Sequence, residues 1–257
     1  MSIEKLSELK HLAMPTLSNK YQTINTIQAI QPLISRGYEV TNVSLRKVSK
    51  KNLERTGHQF HVLRLRKTSD LRQVGDSFPE IVISNSYDGT SSLVVRFGLY
   101  RLVCANGLVV GSDLVAPIFI RHVGRDLEHR VLYAVAKIES ESEKIETLIA
   151  KGEKIGVIEP MNFATNLIKG QFEGLEKLTS LPINRAGDLN NSWTVFNLVQ
   201  ENLLSRGGIR GIFKIVNSET GEIEYKEKSL RVKRGTVSAL ESNVKLFNEY
   251  NKFLMAA

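Results

Sequence analysis

The run from Arg36 to Arg72 carries ten cations, Arg36, Arg46, Lys47, Lys50, Lys51, Arg55, Arg64, Arg66, Lys67 and Arg72, against Glu39, Glu54 and Asp70. Its net charge of +7 accounts for most of the +8 on the whole 257-residue chain. Charge concentrated in this way neutralises phosphates or an anionic partner. In the segment from His58 to Lys67, strand alternation sets Leu63 and Leu65 on one face and Phe60, Val62, Arg64 and Arg66 on the other. If Leu63 and Leu65 face a core together with Val43 and Leu45, then Arg46, Arg64 and Arg66 make a cationic stripe with Phe60 beside it. Such a stripe can track a phosphate backbone, and an aromatic next to it can stack a base. The competing reading is a solvated strand face whose charges protect a sheet edge. A second basic cluster, Arg206 to Arg234, has a net charge of +4, and the acidic stretch Glu139 to Glu153 compensates.

Other chemistries are poorly served. His58 and His61 stand three apart, so on a strand they point to opposite faces and cannot share a metal ion. His122 and His129 lack carboxylates or thiolates at ligand spacing and read as surface histidines. No metal and no cofactor is expected. Cys104 lies among Val103 and Ala105, where a thiol is a small buried hydrophobe rather than an exposed, activated nucleophile. A polar set, Asn85, Asp88, Arg96, Arg101 and Asn106, could supply an enzymatic site, yet Asn85, Asp88 and Asn106 occupy turn signals that explain them without catalysis. Gly207-Gly208-Ile209-Arg210-Gly211 lacks the ending of a nucleotide-binding P-loop.

The elements that must position these residues read as a segregated α+β order. A helix over Thr23 to Ile34, with Pro32 kinking or ending it, precedes strands at Glu39 to Lys47 and His58 to Lys67. Further strands are expected at Ile81 to Ser84 and Ser91 to Phe97, joined by a tight turn at Asp88-Gly89 in which both residues have positive φ. Leu99 to Cys104 and Leu108 to Val110 flank a second turn at Ala105-Asn106-Gly107, and Pro117 to His122 adds one more strand. Helices follow at Asp126 to Lys151, Asn162 to Phe172 and Ser192 to Leu204, the last with Trp193, Phe196, Val199 and Leu203 on one apolar face. Leu178 to Asn191 reads as loop. A β pair around Glu219-Thr220-Gly221 and a closing helix over Val237 to Met255 complete a single α+β domain, 1–257. Its antiparallel sheet of short strands, within 20–125, is flanked by helices on one side, and 126–257 is mainly helical with a late β-hairpin.

The segment Asn85-Ser86-Tyr87-Asp88-Gly89-Thr90-Ser91, followed by Gly98-Leu99-Tyr100-Arg101-Leu102-Val103-Cys104-Ala105-Asn106-Gly107-Leu108, resembles the phage/plasmid-like family called domain of unknown function 932. Tyr87 stands where His is common, Thr90 and Ala105 where Ser is. A second likeness is the pattern Trp193, Asn197, Gln200, Glu201 ahead of a Gly-Gly pair. The resemblance implies a protein of a phage or other mobile element and brings no agreed activity. The element order also resembles, as fold analogy only, single-strand annealing proteins of the Redβ and RecT type.

These features lead to the expectation of a DNA-binding protein, preferring single-stranded DNA, acting as a homo-oligomer in recombination or DNA maintenance. The nucleic-acid-binding residues are then Arg46, Lys47, Lys50, Lys51, Arg55, Phe60, Arg64, Arg66 and Lys67. A virion or assembly protein with a basic partner-binding face is the alternative. The stretch from Met1 to Pro15 has no continuous apolar core of a secretory signal, no run is long enough to span a membrane, and a single cysteine suits a reducing compartment, so a cytoplasmic location is expected.

Overall fold

The computed structural model describes residues 3–69, 77–101, 107–109, 115–123 and 126–257. It divides into two compact units, one made of residues 1–145 and 235–237, the other of 146–234 and 238–257.

The first unit is built on a six-stranded antiparallel sheet. Its strands are β1 (Tyr38–Leu45), β2 (His61–Lys67), β3 (Ser77–Asn85), β4 (Leu93–Arg101), β5 (Gly107–Val109) and β6 (Ile118–Ile120), in the order β1-β2-β3-β4-β5 with β6 pairing the other end of β4. Helix α1 (Thr26–Ile34) starts at Asn25, whose side chain accepts from the N–H groups of Ile27 and Gln28, and ends two residues after Pro32. Helix α2 (Leu127–Ser140) buries Val131, Ala134, Val135 and Ile138. Both helices lie on the face that carries Val43, Leu63, Leu65, Ile81, Ile83, Val95 and Phe97, as the Thr26–His61 and Tyr38–Glu139 hydrogen bonds show.

The opposite face is not simply wet. Val82 and Ser84 are fully buried on it, Val94 is 2% exposed and Val62 8%. The apolar runs Ile81-Val82-Ile83 and Leu93-Val94-Val95 therefore face cover on both sides, as continuous runs do in doubly buried strands.

Two local expectations are corrected in this unit. β3 and β4 do form a hairpin, but the connection is the seven residues Ser86–Ser92, and only Gly89 has positive φ, at 75°. Asp88 stays in ordinary backbone because its carboxylate, not a two-residue turn, shapes the loop. His122 is 6% exposed rather than on the surface, stacked on Tyr21 at 4.6 Å. The expectations for Cys104, Asn106 and the Ala105-Asn106 turn fall outside the described residues, as does the Arg101 side chain.

The helix expected over Asp126 to Lys151 is two helices, α2 and α3 (Ser142–Lys154), interrupted at Glu141. The second unit holds most of α3, then α4 (Pro160–Ile168), β7 (Leu175–Ser180), α5 (Ser192–Glu201), β8 (Arg210–Val216), β9 (Ile223–Ser229) and most of α6 (Thr236–Ala256). β7 replaces part of the expected loop; it pairs with β8, which pairs with β9, in a three-stranded antiparallel sheet. Asn191 caps α5 in a reciprocal capping box with Thr194, and the helix closes in a π turn over Asn202–Arg206. Trp193, Phe196, Val199 and Leu203 are all buried, and Trp193 and Phe196 stack at 5.4 Å. Among the described residues no helix is long and apolar enough to cross a membrane.

Candidate functional site

The loop Ser86–Ser92 is held from below by a buried polar network. Tyr87, fully buried, places its hydroxyl 2.9 Å from Thr26 Oγ1 and 2.9 Å from His11 Nδ1, and accepts from the Thr26 N–H. Asn85 donates to Thr26 Oγ1 and to the Ile24 carbonyl, each at 2.9 Å. His61 Nε2 lies 2.7 Å from Thr26 Oγ1, and its Nδ1 lies 3.0 Å from the Gln59 carbonyl. These partners assign the neutral Nδ1–H tautomer: Nδ1–H donates to Gln59 and Nε2 accepts the Thr26 hydroxyl. The Thr26 oxygen then accepts from Asn85 and Tyr87 and has no lone pair left for a protonated Nε2.

Burial foremost lowers the His61 imidazole to about 4, with the nearby His11 and His122 acting the same way. Burial likewise raises the Tyr87 phenol, and raises Tyr21 further with help from Asp88. The His61 shift has a definite sign. The unfolded histidine takes up a proton near pH 6.5 and the folded one only near pH 4, so the stabilisation is complete above pH 6.5 and is lost as pH falls toward 4. The full span is about 3 kcal/mol. Urea unfolding at pH 7.5 and pH 4 should show that loss in the parent chain and a smaller one in His61→Gln, the difference reporting the His61 share.

Above this network lies a cleft of about 80 Å³ lined by Arg46, Lys47, Val48, Ser49, Asn52, Arg55, Gln59 and Asp88. Its floor is Asp88, whose carboxylate is 2% exposed; it accepts from Thr90 N at 3.1 Å and Thr90 Oγ1 at 2.5 Å, and pairs with Arg55 at 3.5 Å. Arg46 and Lys47 are exposed at the rim, and Lys50 and Lys51 are exposed on the same β1–β2 connection. None of these four side chains has an ion-pair or hydrogen-bond partner among the described residues. Three cations around one engaged carboxylate leave the cleft cationic, and its size suits a single phosphoryl or carboxylate group.

The remaining residues of the expected stripe are placed differently. Arg64 and Arg66 do share a face, but both turn onto Glu80, each at 3.1 Å, and the Glu80 side chain is fully buried. Arg64 also donates to the Gly107 carbonyl at 2.8 Å, and Arg66 lies 4.4 Å over the Tyr100 ring. Gly107 matters here through space rather than a turn: a Cβ on it would sit 1.9 Å from Arg64 Nη1. Phe60 is only 8% exposed, so its ring is not presented as a stacking platform. Lys67 lies 5.8 Å from the Tyr38 ring centre, half-buried. Of the polar set, Asn85 points to the helix-covered face, while Arg96 points to the other and donates to Ser84 Oγ at 2.8 Å. Burial lowers the Arg96 guanidinium to about 10. These two therefore do not converge. Sequence reading missed Thr26, His61 and His11 as partners of the loop; only the motif position of Tyr87 pointed toward them.

A family model described as a domain of unknown function matches residues 13–231, most of the chain. The chain belongs to the DUF932 family. It is also similar to two curated proteins of Escherichia coli (strain K12), UPF0380 protein YfjQ at 27% identity and UPF0380 protein YafZ at 28%. Each likeness runs over 211 residues, 80% of this chain and 74% of the relative. No solved structure matches.

The geometry gives the two DUF932-like stretches physical content. In the first, Asn85 and Tyr87 anchor the loop, Asp88 and Thr90 shape it, and Gly98 and Gly107 let Val82 and Arg64 lie against the strands. In the second, Trp193 stacks in the core, Asn197 donates to the Trp193 carbonyl, Gln200 donates to Asn243 Oδ1 at 2.8 Å, and Glu201 takes Arg185 and Arg206. Burial alone would raise the Glu201 carboxyl, but hydrogen bonding and charge from Arg185, with help from Asn184 and Arg206, hold it below its usual range.

Proposed function

We propose that this chain binds the phosphate backbone of nucleic acid, single-stranded DNA foremost, through the β1–β2 connection, and serves DNA maintenance or recombination on a mobile element. The observation that carries this reading is the set Arg46, Lys47, Lys50 and Lys51, four exposed side chains without an ion-pair or hydrogen-bond partner among the described residues, beside a cationic cleft. Exposed cations that meet phosphates displace the counterions condensed on the nucleic acid, and their release favours binding. A single strand suits them because its backbone bends to follow a curved loop, whereas reading a duplex groove takes a projecting helix or ribbon. The binding is of the positioning kind, indifferent to base identity.

Fluorescence anisotropy on a labelled single-stranded oligonucleotide and its duplex, across a salt series, tests this. The variant Arg46→Gln/Lys47→Gln/Lys50→Gln/Lys51→Gln should flatten the log-log salt slope by about 3, from roughly 0.7 per single-strand contact. Lys137→Gln on α2 should leave it unchanged. Absence of binding at low salt, or an unchanged slope in the fourfold variant, refutes the reading and moves the assembly alternative into its place.

A further inference from the structure

β9 is the outer strand of the second unit's sheet, and all seven of its residues, Ile223–Ser229, are exposed. Its hydrogen-bonding parity is fixed at both ends of the β8–β9 ladder: Asn217 N–H donates to the Glu222 carbonyl, and Leu230 N–H donates to the Ile209 carbonyl. In an antiparallel ladder such pairs recur at every second residue. Glu222, Glu224, Lys226, Lys228 and Leu230 therefore turn their backbone groups toward β8. Ile223, Tyr225, Glu227 and Ser229 turn theirs outward, and those groups have no partner among the described residues.

An unpaired edge of this length is a template for another strand. The sequence of the edge says which strand. In an antiparallel pairing of β9 with itself, outward-turned residues must oppose outward-turned residues, so only registers that differ by steps of two are open. One of them sets Tyr225 against Tyr225, Ile223 against Glu227, Glu224 against Lys226 and Glu222 against Lys228. Each of these pairs occurs twice about the two-fold axis except the central one. The Glu–Lys pairs fall at the non-hydrogen-bonded positions, where opposing side chains come closest. Displacing the register one step either way puts Glu224 against Glu224 or Lys226 against Lys226. The charge pattern thus admits one self-pairing and penalises its neighbours.

We propose that β9 is a homodimer interface, in which two copies of this chain pair antiparallel about Tyr225 to join their three-stranded sheets into one of six strands. The occupant is a second copy because the edge is charge-complementary to itself in that register. The pairing adds about six backbone hydrogen bonds across the junction. The Lys226–Glu224 contact now seen within the strand, at 2.6 Å, is then shared between copies. The contact is isologous, as closed dimers require. It is independent of the β1–β2 connection and stands or falls separately from nucleic-acid binding.

Sedimentation and cysteine cross-linking of the full chain, without nucleic acid, test it. In a Cys104→Ser background, Tyr225→Cys should oxidise to a disulfide dimer. Glu224→Cys and Lys226→Cys should each cross-link poorly alone and efficiently when mixed. Glu224→Lys should raise the dimer dissociation constant by about tenfold, and Glu224→Lys/Lys226→Glu should restore it. Far-UV circular dichroism and the melting temperature confirm that each variant is folded. A parent chain that stays monomeric at tens of micromolar, cross-linking at 226 alone in preference to 225, or a charge swap that does not restore association overturns the proposal.

Discussion

Replacing Glu80 by Ala should destabilise the protein by about 3 to 5 kcal/mol, because it strips the shared carboxylate from two arginines. Glu80 is fully buried at its side chain, while Arg64 and Arg66 are 16% and 26% exposed. Neither guanidinium can return to water without leaving Tyr100 or the space that Gly107 keeps open. Thr41 also donates to Glu80, at 3.1 Å, but it is exposed and can turn to the Arg64 carbonyl, so the cost rests on the two guanidiniums. Denaturant unfolding of Glu80→Ala measures the cost. Adding Arg64→Met to that variant should recover part of it, since a buried ion group replaced by apolar side chains is often close to neutral. A cost below about 1 kcal/mol would mean that the three residues act as an exposed surface pair does.

Trp193→Ala should cost about 3 to 5 kcal/mol as well, and lower the melting temperature by roughly 10 °C. Trp193 is 2% exposed, stacked on Phe196 with an interplanar angle of 13°, and its ring lies 6.0 Å from Tyr250. Truncation leaves a cavity bounded by rings that cannot all move in. Trp193→Phe should cost much less, because the buried indole N–H has no hydrogen-bond partner among the described residues and its removal forfeits none of their bonds. Calorimetry on both variants distinguishes a packing role from a binding role, which would leave the melting temperature of Trp193→Ala near that of the parent.

Helical periodicity and turn residues made α1, α5, α6 and the β8–β9 hairpin legible in the sequence. β7 was not: Leu175–Ser180 has two register shifts in its pairing with β8, and its burial does not alternate, so no period-two signal exists to find. The break at Glu141 was hidden because neither Gly nor Pro marks it. The cationic stripe was read with correct faces and an incorrect setting. Alternation put Arg64 and Arg66 together, but no local pattern reveals that Glu80, from the neighbouring strand, sits between them or that Phe60 is covered. Arg46 and Lys47 were read as the end of a strand, with Arg46 in the stripe, but the strand stops at Leu45 and both lie on the connection that also carries Lys50 and Lys51. The Thr26–His61–Tyr87 network joins residues up to 61 positions apart, and only packing brings them into contact.

The chain has one tryptophan, Trp193, and it lies in the second unit's core. Intrinsic emission therefore watches one half of the molecule and is blind to the other. A denaturation curve followed by tryptophan fluorescence records the loss of the aromatic stack around Phe196 and Tyr250, whereas a far-UV curve weighs the six-stranded sheet as well. Overlaying the two curves measures directly whether the units unfold as one cooperative body, with no label and no engineered probe.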